Sequence, residues 1–62
     1  MFFLIEFNRA KQEVITFEKY DYLHLPIAQQ ARRDLELNLL RQNVSHEVVI
    51  LEAKDEHVLK IL

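Results

Sequence analysis

The sequence has no glycine, no cysteine and a single proline, Pro26. Without cysteine there can be neither a disulfide nor a thiolate-metal site. Without glycine there is no phosphate-cradling loop, because such loops need backbone that lets an anion approach closely. Tight two-residue hairpin turns also depend on glycine, so a hairpin in this chain calls for a looser turn of about four residues. Long apolar runs are missing as well. No segment approaches the ~20 apolar residues of a membrane-spanning helix. The opening run Met1-Phe2-Phe3-Leu4-Ile5 has no basic flank, and Glu6 ends it. That is shorter than the roughly 7–15 apolar residues of a secretory signal. These absences make the cytoplasm the expected location and leave the membrane out as a partner.

What remains is ordinary globular composition. Of 62 residues, 50% are apolar and 29% are charged, which places the chain among folding sequences rather than disordered ones. The length implies one domain, residues 1–62, with a small core. Domains of this size often add a disulfide, a metal or a second subunit to compensate. With cysteine gone, the remaining options are a very efficient core or a second subunit. The net charge of −2 works against nucleic acid and anionic membranes, which rely on a basic field.

Met1 to Phe7 reads as a strand with apolar residues on both faces: Phe3, Ile5 and Phe7 on one, Phe2 and Leu4 on the other. Only Glu6 interrupts the second face. Such strands are usually central or covered twice. The polar stretch Asn8-Arg9-Ala10-Lys11 is a turn, and Asn8 can take the conformation that glycine would otherwise supply. Gln12 to Glu18 alternates in the manner of a half-buried edge strand. After a connection over Lys19 to Leu25, Pro26 suits the first turn of a helix. The helical period then runs to about Asn43. Ile27, Ala28, Ala31, Leu35 and Leu39 share one arc and form the expected core stripe. Arg32, Glu36 and Asn43 flank it and should be solvated.

Ser45 and His46 break the pattern, and Glu47 to Ala53 forms a third strand, apolar on both faces. Asp55 can cap a short final helix that contains Val58, Leu59, Ile61 and Leu62. The expected fold is therefore α+β, in the order β-β-α-β-α. Its three-stranded sheet, in the order 2-1-3, packs against one long amphipathic helix. Placing the third strand beside the second would bury Glu13 and Glu18 and require a right-handed crossover.

Two features point to self-association. Leu37, Leu40 and Val44 make a second apolar line, away from the core stripe, that continues toward Gln29 and Arg33. Exposed apolar clusters often mark interfaces, although a line that merely wraps the helix end under the next loop would look the same. The third strand, with Val48 and Ile50, lies on a sheet edge that needs a cover, which either a second copy of the chain or the terminal helix would supply. Leu37, Leu40, Val44, Val48 and Ile50 are thus the candidate interface of a homodimer.

The stretch Glu47-Val48-Val49-Ile50-Leu51-Glu52-Ala53-Lys54-Asp55-Glu56-His57-Val58-Leu59-Lys60 resembles a group of very short uncharacterised bacterial proteins. They share an N-terminal hairpin, a charged helix, an apolar strand ending in Glu-Ala and a short acidic-capped helix. The resemblance loosely takes in most of the chain. It implies this fold and brings no activity, cofactor or site with it.

Chemistry is sparse. His24, His46 and His57 are scattered and have no helical i, i+4 ligand spacing, so no metal or cofactor is expected. Ser45-His46-Glu47 holds the residue types of a catalytic triad in a row, but triads are built from distant segments; a polar turn explains the run. The expected protein is not an enzyme. A deep pocket that placed His24 or His46 beside a buried carboxylate would reopen that reading. Arg32, Arg33 and Arg41 give the long helix a basic side, and Tyr20 and Tyr22 precede it, so a small nucleic-acid-binding regulator is the alternative. The interleaved Asp34 and Glu36 oppose it, and an Arg32–Glu36 pair four residues apart is a sufficient account of those charges.

Overall fold

The computed structural model of the chain describes residues 1–54. Strand β1 (Phe2–Asn8) pairs antiparallel with β2 (Glu13–Tyr20) and, on its other side, with β3 (Glu47–Glu52). The sheet order is β2-β1-β3, as expected from the two-faced apolarity of β1. Helix α1 (Leu25–Arg41) links β2 to β3 and follows a short 3-10 turn at Tyr22–His24. The expected helix capped by Asp55 lies outside the described residues.

The hairpin turn is the loose one that a glycine-free chain requires. Its backbone closes with Gln12 N–H donating to Arg9 O at 3.2 Å. Gln12, at φ 53°, takes the left-handed conformation, rather than Asn8. Asn8 instead stays in β1 and accepts from Lys11 N–H through its side chain. Register along β1 and β2 slips between Glu6 and Phe7, so Glu6 faces Thr16 while Phe7 faces Val14. Ile15 is the extra residue of this β-bulge.

The two faces of the sheet follow from these registers. Phe2, Leu4 and Glu6 share one face with Thr16, Val48 and Ile50. This face carries α1, which contacts β1 and β3. Tyr22, leading into the helix, stacks edge-on against Phe2 with ring centroids 5.2 Å apart. The other face carries Phe3, Ile5 and Phe7 between Phe17, Val49 and Leu51. Phe3 and Leu4, one on each face, are the largest fully buried side chains. Burying a side chain of that size contributes about 1.5–3 kcal/mol.

The helix is entered through a 3-10 turn that Asp21 caps. Asp21 accepts from Leu23 N–H at 3.1 Å and pairs with His24 Nδ1 at 2.7 Å. Pro26 then occupies the first turn, where its missing N–H costs nothing. The core stripe differs from expectation at its N-terminal end. Ala28 and Leu39 are buried, and Ala31 and Leu35 are half-buried, but Ile27 is 56% exposed. The inward line instead takes in Arg32, which is half-buried rather than solvated. Spacings of four, three and four from Ala28 through Arg32 and Leu35 to Leu39 keep one side toward the sheet.

The helix also ends earlier than expected. Asn43 adopts φ 57°, the left-handed position usually given to glycine. Asn43 N–H donates to Leu40 O at 3.1 Å, and Val44 N–H donates to Leu39 O at 2.9 Å. This is a Schellman motif, whose apolar contact falls between the residues at Val44 and Leu39. Val44 therefore lies past the helix, folded under its end, and does not continue a line along its surface.

Candidate functional site

The beginning of β3 brings together residues that are far apart in sequence. Glu6 is 5% exposed, in the middle of an otherwise apolar strand. A carboxylate buried to this extent needs hydrogen-bond partners. Thr16, directly across on β2, donates its hydroxyl to Glu6 Oε1 at 2.8 Å. His46 places Nδ1 at 2.6 Å from Glu6 Oε2. A carboxylate only accepts, so Nδ1 carries the proton of that bond. That bond fixes the orientation of the ring.

His46 also lines an open groove of about 270 Å³ at the C-terminal end of α1. Leu39, Leu40, Val44 and Val48 supply its apolar wall, and Glu36 and Ser45 its polar rim. The Schellman turn forms one side, because it swings Val44 back beneath Leu39. Beside this groove the outer surface of α1 carries Leu37, 50% exposed, and Leu40, 76% exposed. They are three residues apart and adjacent on the helix surface.

The candidate interface residues thus divide. Leu37 and Leu40 project from the helix, while Val44, Val48 and Ile50 are half-buried. Val48 and Ile50 lie on the helix-bearing face of β3, and its exposed apolar residues are Val49 and Leu51 on the opposite face. Val14, Ile15 and Phe17 are exposed on β2. The ring of Phe17 packs at 5.5 Å from that of buried Phe3.

The arginines do not gather on one side. Arg32 and Arg41 are nine residues apart, about two and a half turns, and so leave the helix on opposite sides. Arg32 Nε lies 3.5 Å from Glu36 Oε1, the pairing expected from the sequence. Arg33 donates to Gln30, which in turn donates to Asp34, at 3.0 and 2.9 Å. Arg41 occupies the last turn, where a cation complements the helix dipole. Arg9, in the hairpin turn, pairs with Glu47 at 2.6 Å. Among the described residues, no three His, Cys, Asp or Glu side chains form a metal-binding group. No described helix is long and apolar enough to cross a membrane. His57 lies outside the described residues.

The sequence carries one signal of the cluster of Glu6, Thr16 and His46, the charge inside a doubly apolar strand, which demands a partner without saying which. His46 sits in a polar turn 40 residues away.

Among the described residues, fold and site together define a small α+β domain: a three-stranded antiparallel sheet with one helix on one face and an open groove, part polar and part apolar, at the helix end. Compared with protein-family models, curated proteins and solved structures, the chain matches none.

Proposed function

We propose that this chain is a non-enzymatic protein–protein interaction module that acts as a homodimer in the cytoplasm. The carrying observation is the exposure of Leu37 and Leu40 beside an open groove of mixed polar and apolar lining. A small domain that spends two leucines on its surface gains by covering them. The kinship with very short bacterial proteins belongs to the same proposal and adds no activity. Static light scattering at tens of micromolar tests it. A dimer mass supports the reading, and a clean monomer overturns it. Replacing Leu37 and Leu40 together with Glu should dissociate the dimer and leave the circular dichroism spectrum unchanged.

A second reading rests on the Glu6–His46 pair. A carboxylate that orients an imidazole at the edge of a groove is the arrangement of a general base. Burial of Glu6 requires the same bonds without any chemistry, so the interaction module is the reading held here. Hydrolysis of p-nitrophenyl acetate separates the two. A rate that exceeds free imidazole and disappears in His46→Gln supports catalysis, and a rate no greater than imidazole removes it.

A further inference from the structure

The face of the sheet that α1 leaves free is apolar across all three strands. Val14 and Phe17 from β2, Phe3, Ile5 and Phe7 from β1, and Val49 and Leu51 from β3 share it. Among the described residues no helix or further strand lies over this face, because α1 packs on the other one. Yet within the single chain Phe3 is 0% exposed and Ile5 3%. Side chains stand roughly perpendicular to a sheet, so neighbours within it shield the flanks of a central residue and leave its outer end open. The neighbours here have not closed over that end: Phe17, Val49 and Leu51 keep 37%, 41% and 39% of their own surface open. The cover over Phe3 and Ile5 therefore comes from elsewhere in the same chain. A second copy does not account for it, since the burial is already complete in one chain.

Residues 55–62 have the composition and the reach for this. They read Asp-Glu-His-Val-Leu-Lys-Ile-Leu, with apolar side chains at Val58, Leu59, Ile61 and Leu62. They follow directly on the row of the sheet that holds Phe3. Leu51 pairs with Phe3, and two residues later Ala53 N–H donates to Met1 O at 3.0 Å. Adjacent strands lie about 4.8 Å apart, so β3 to β2 is about 10 Å. Eight residues span about 12 Å even at the short rise of a helix. A segment tethered this closely meets the face at an effective concentration of about a millimolar, which a free partner would have to match. We propose that residues 55–62 turn back over the helix-free face and seat their apolar side chains on Phe3 and Ile5, with Phe17 and Val49 as side walls. The sheet is then the middle of three layers, and the end of α1 is left as the surface open to association. This proposal does not depend on the homodimer reading.

Nuclear Overhauser spectroscopy of the unaltered chain tests it. The methyl groups of Leu59 and Ile61 should give cross-peaks to the ring of Phe3 and the methyls of Ile5. In an isotope-filtered mixture of labelled and unlabelled chains these peaks should stay within one chain. Cross-peaks to Leu4 and Ile50 on the helix-bearing face instead, peaks only between chains, or none from residues 58–62 would overturn the proposal. In parallel, Leu59→Asp combined with Ile61→Asp should lower the folding equilibrium constant by about tenfold or more, the loss expected on uncovering one large apolar side chain. Urea unfolding should show the same loss in dilute and concentrated protein. Unchanged stability, or a loss confined to concentrations at which chains associate, contradicts a cover that belongs to the chain itself.

Discussion

The centre of the sheet and the end of the helix break the usual rule in opposite ways. At Glu6 a charge is inside, and at Leu37 and Leu40 apolar groups are outside. Their partners differ accordingly. Glu6 finds its own within the chain, one bond from β2 and one from the residue before β3. Leu40 is 76% exposed and lines the groove at the helix end. A buried polar group is costly unless satisfied at once, so the fold must supply its partners before it is stable. An exposed leucine costs far less and can wait for a partner to arrive. The first region is therefore a demand met during folding, and the second is the one that the proposed dimer would use.

That contrast can be broken at several strengths. The largest effect is expected at His46→Ala, which leaves Glu6 with Thr16 alone. Removing one member of a buried pair should destabilise the chain by about 3 kcal/mol, read from the urea midpoint. Replacing Glu6 and His46 together with Leu should cost less than His46→Ala alone, because no orphaned charge remains. If the single variant is no worse than the double, the pair is not the demand described.

Next comes Asn43→Ala, which forces a Cβ-bearing residue without local hydrogen bonding into the left-handed region. It should cost about 1 kcal/mol, while Asn43→Gly should be neutral or slightly stabilising. Thermal melts distinguish them, and equal melts would mean that the backbone conformation at Asn43 does not hold the groove wall. Leu40→Glu should change the stability of the isolated chain by less than about 0.5 kcal/mol, while weakening the proposed dimer. A large loss of monomer stability would move Leu40 from the second kind of region into the first.

The smallest effect concerns Tyr20. Burial raises its phenol above the usual value, and the hydrogen bond it donates to Glu18, with that carboxylate's charge, pushes the same way. A group with a raised native pKa stabilises the fold fully below its unfolded pKa of 10.0 and loses that contribution as pH rises through the native value. Tyr20→Phe should therefore flatten the alkaline fall in stability. An unchanged slope above pH 10 would remove Tyr20 from the account.

Much of the architecture was legible because it is local. Apolar runs marked the first and third strands, alternation marked the second, Pro26 marked the helix start, and the two-faced apolarity of Met1 to Phe7 placed that strand in the middle. The loose turn followed from the missing glycine. What stayed hidden depends on distant contacts. Nothing near Ile27 shows that the helix would settle with Arg32 inward instead. The choice of Gln12 over Asn8 for the left-handed turn residue, and the bulge at Ile15, reflect how β1 is shared between two neighbours. The Glu6–His46 pair joins the first strand to the start of the last, and periodicity carries no information about such a pairing. Of the candidate interface, Leu37 and Leu40 were legible as apolar residues off the core stripe. The groove beside them was not, because it is made by a cap that turns Val44 back under the helix.

The central claim is that the apolar end of the helix waits for a second copy. Sedimentation equilibrium of the unaltered chain at tens of micromolar addresses it most directly. The account predicts a mass twice the 7.5 kDa of the chain, falling toward one chain on dilution and in Leu40→Glu. A single species at 7.5 kDa across the whole concentration range would contradict it.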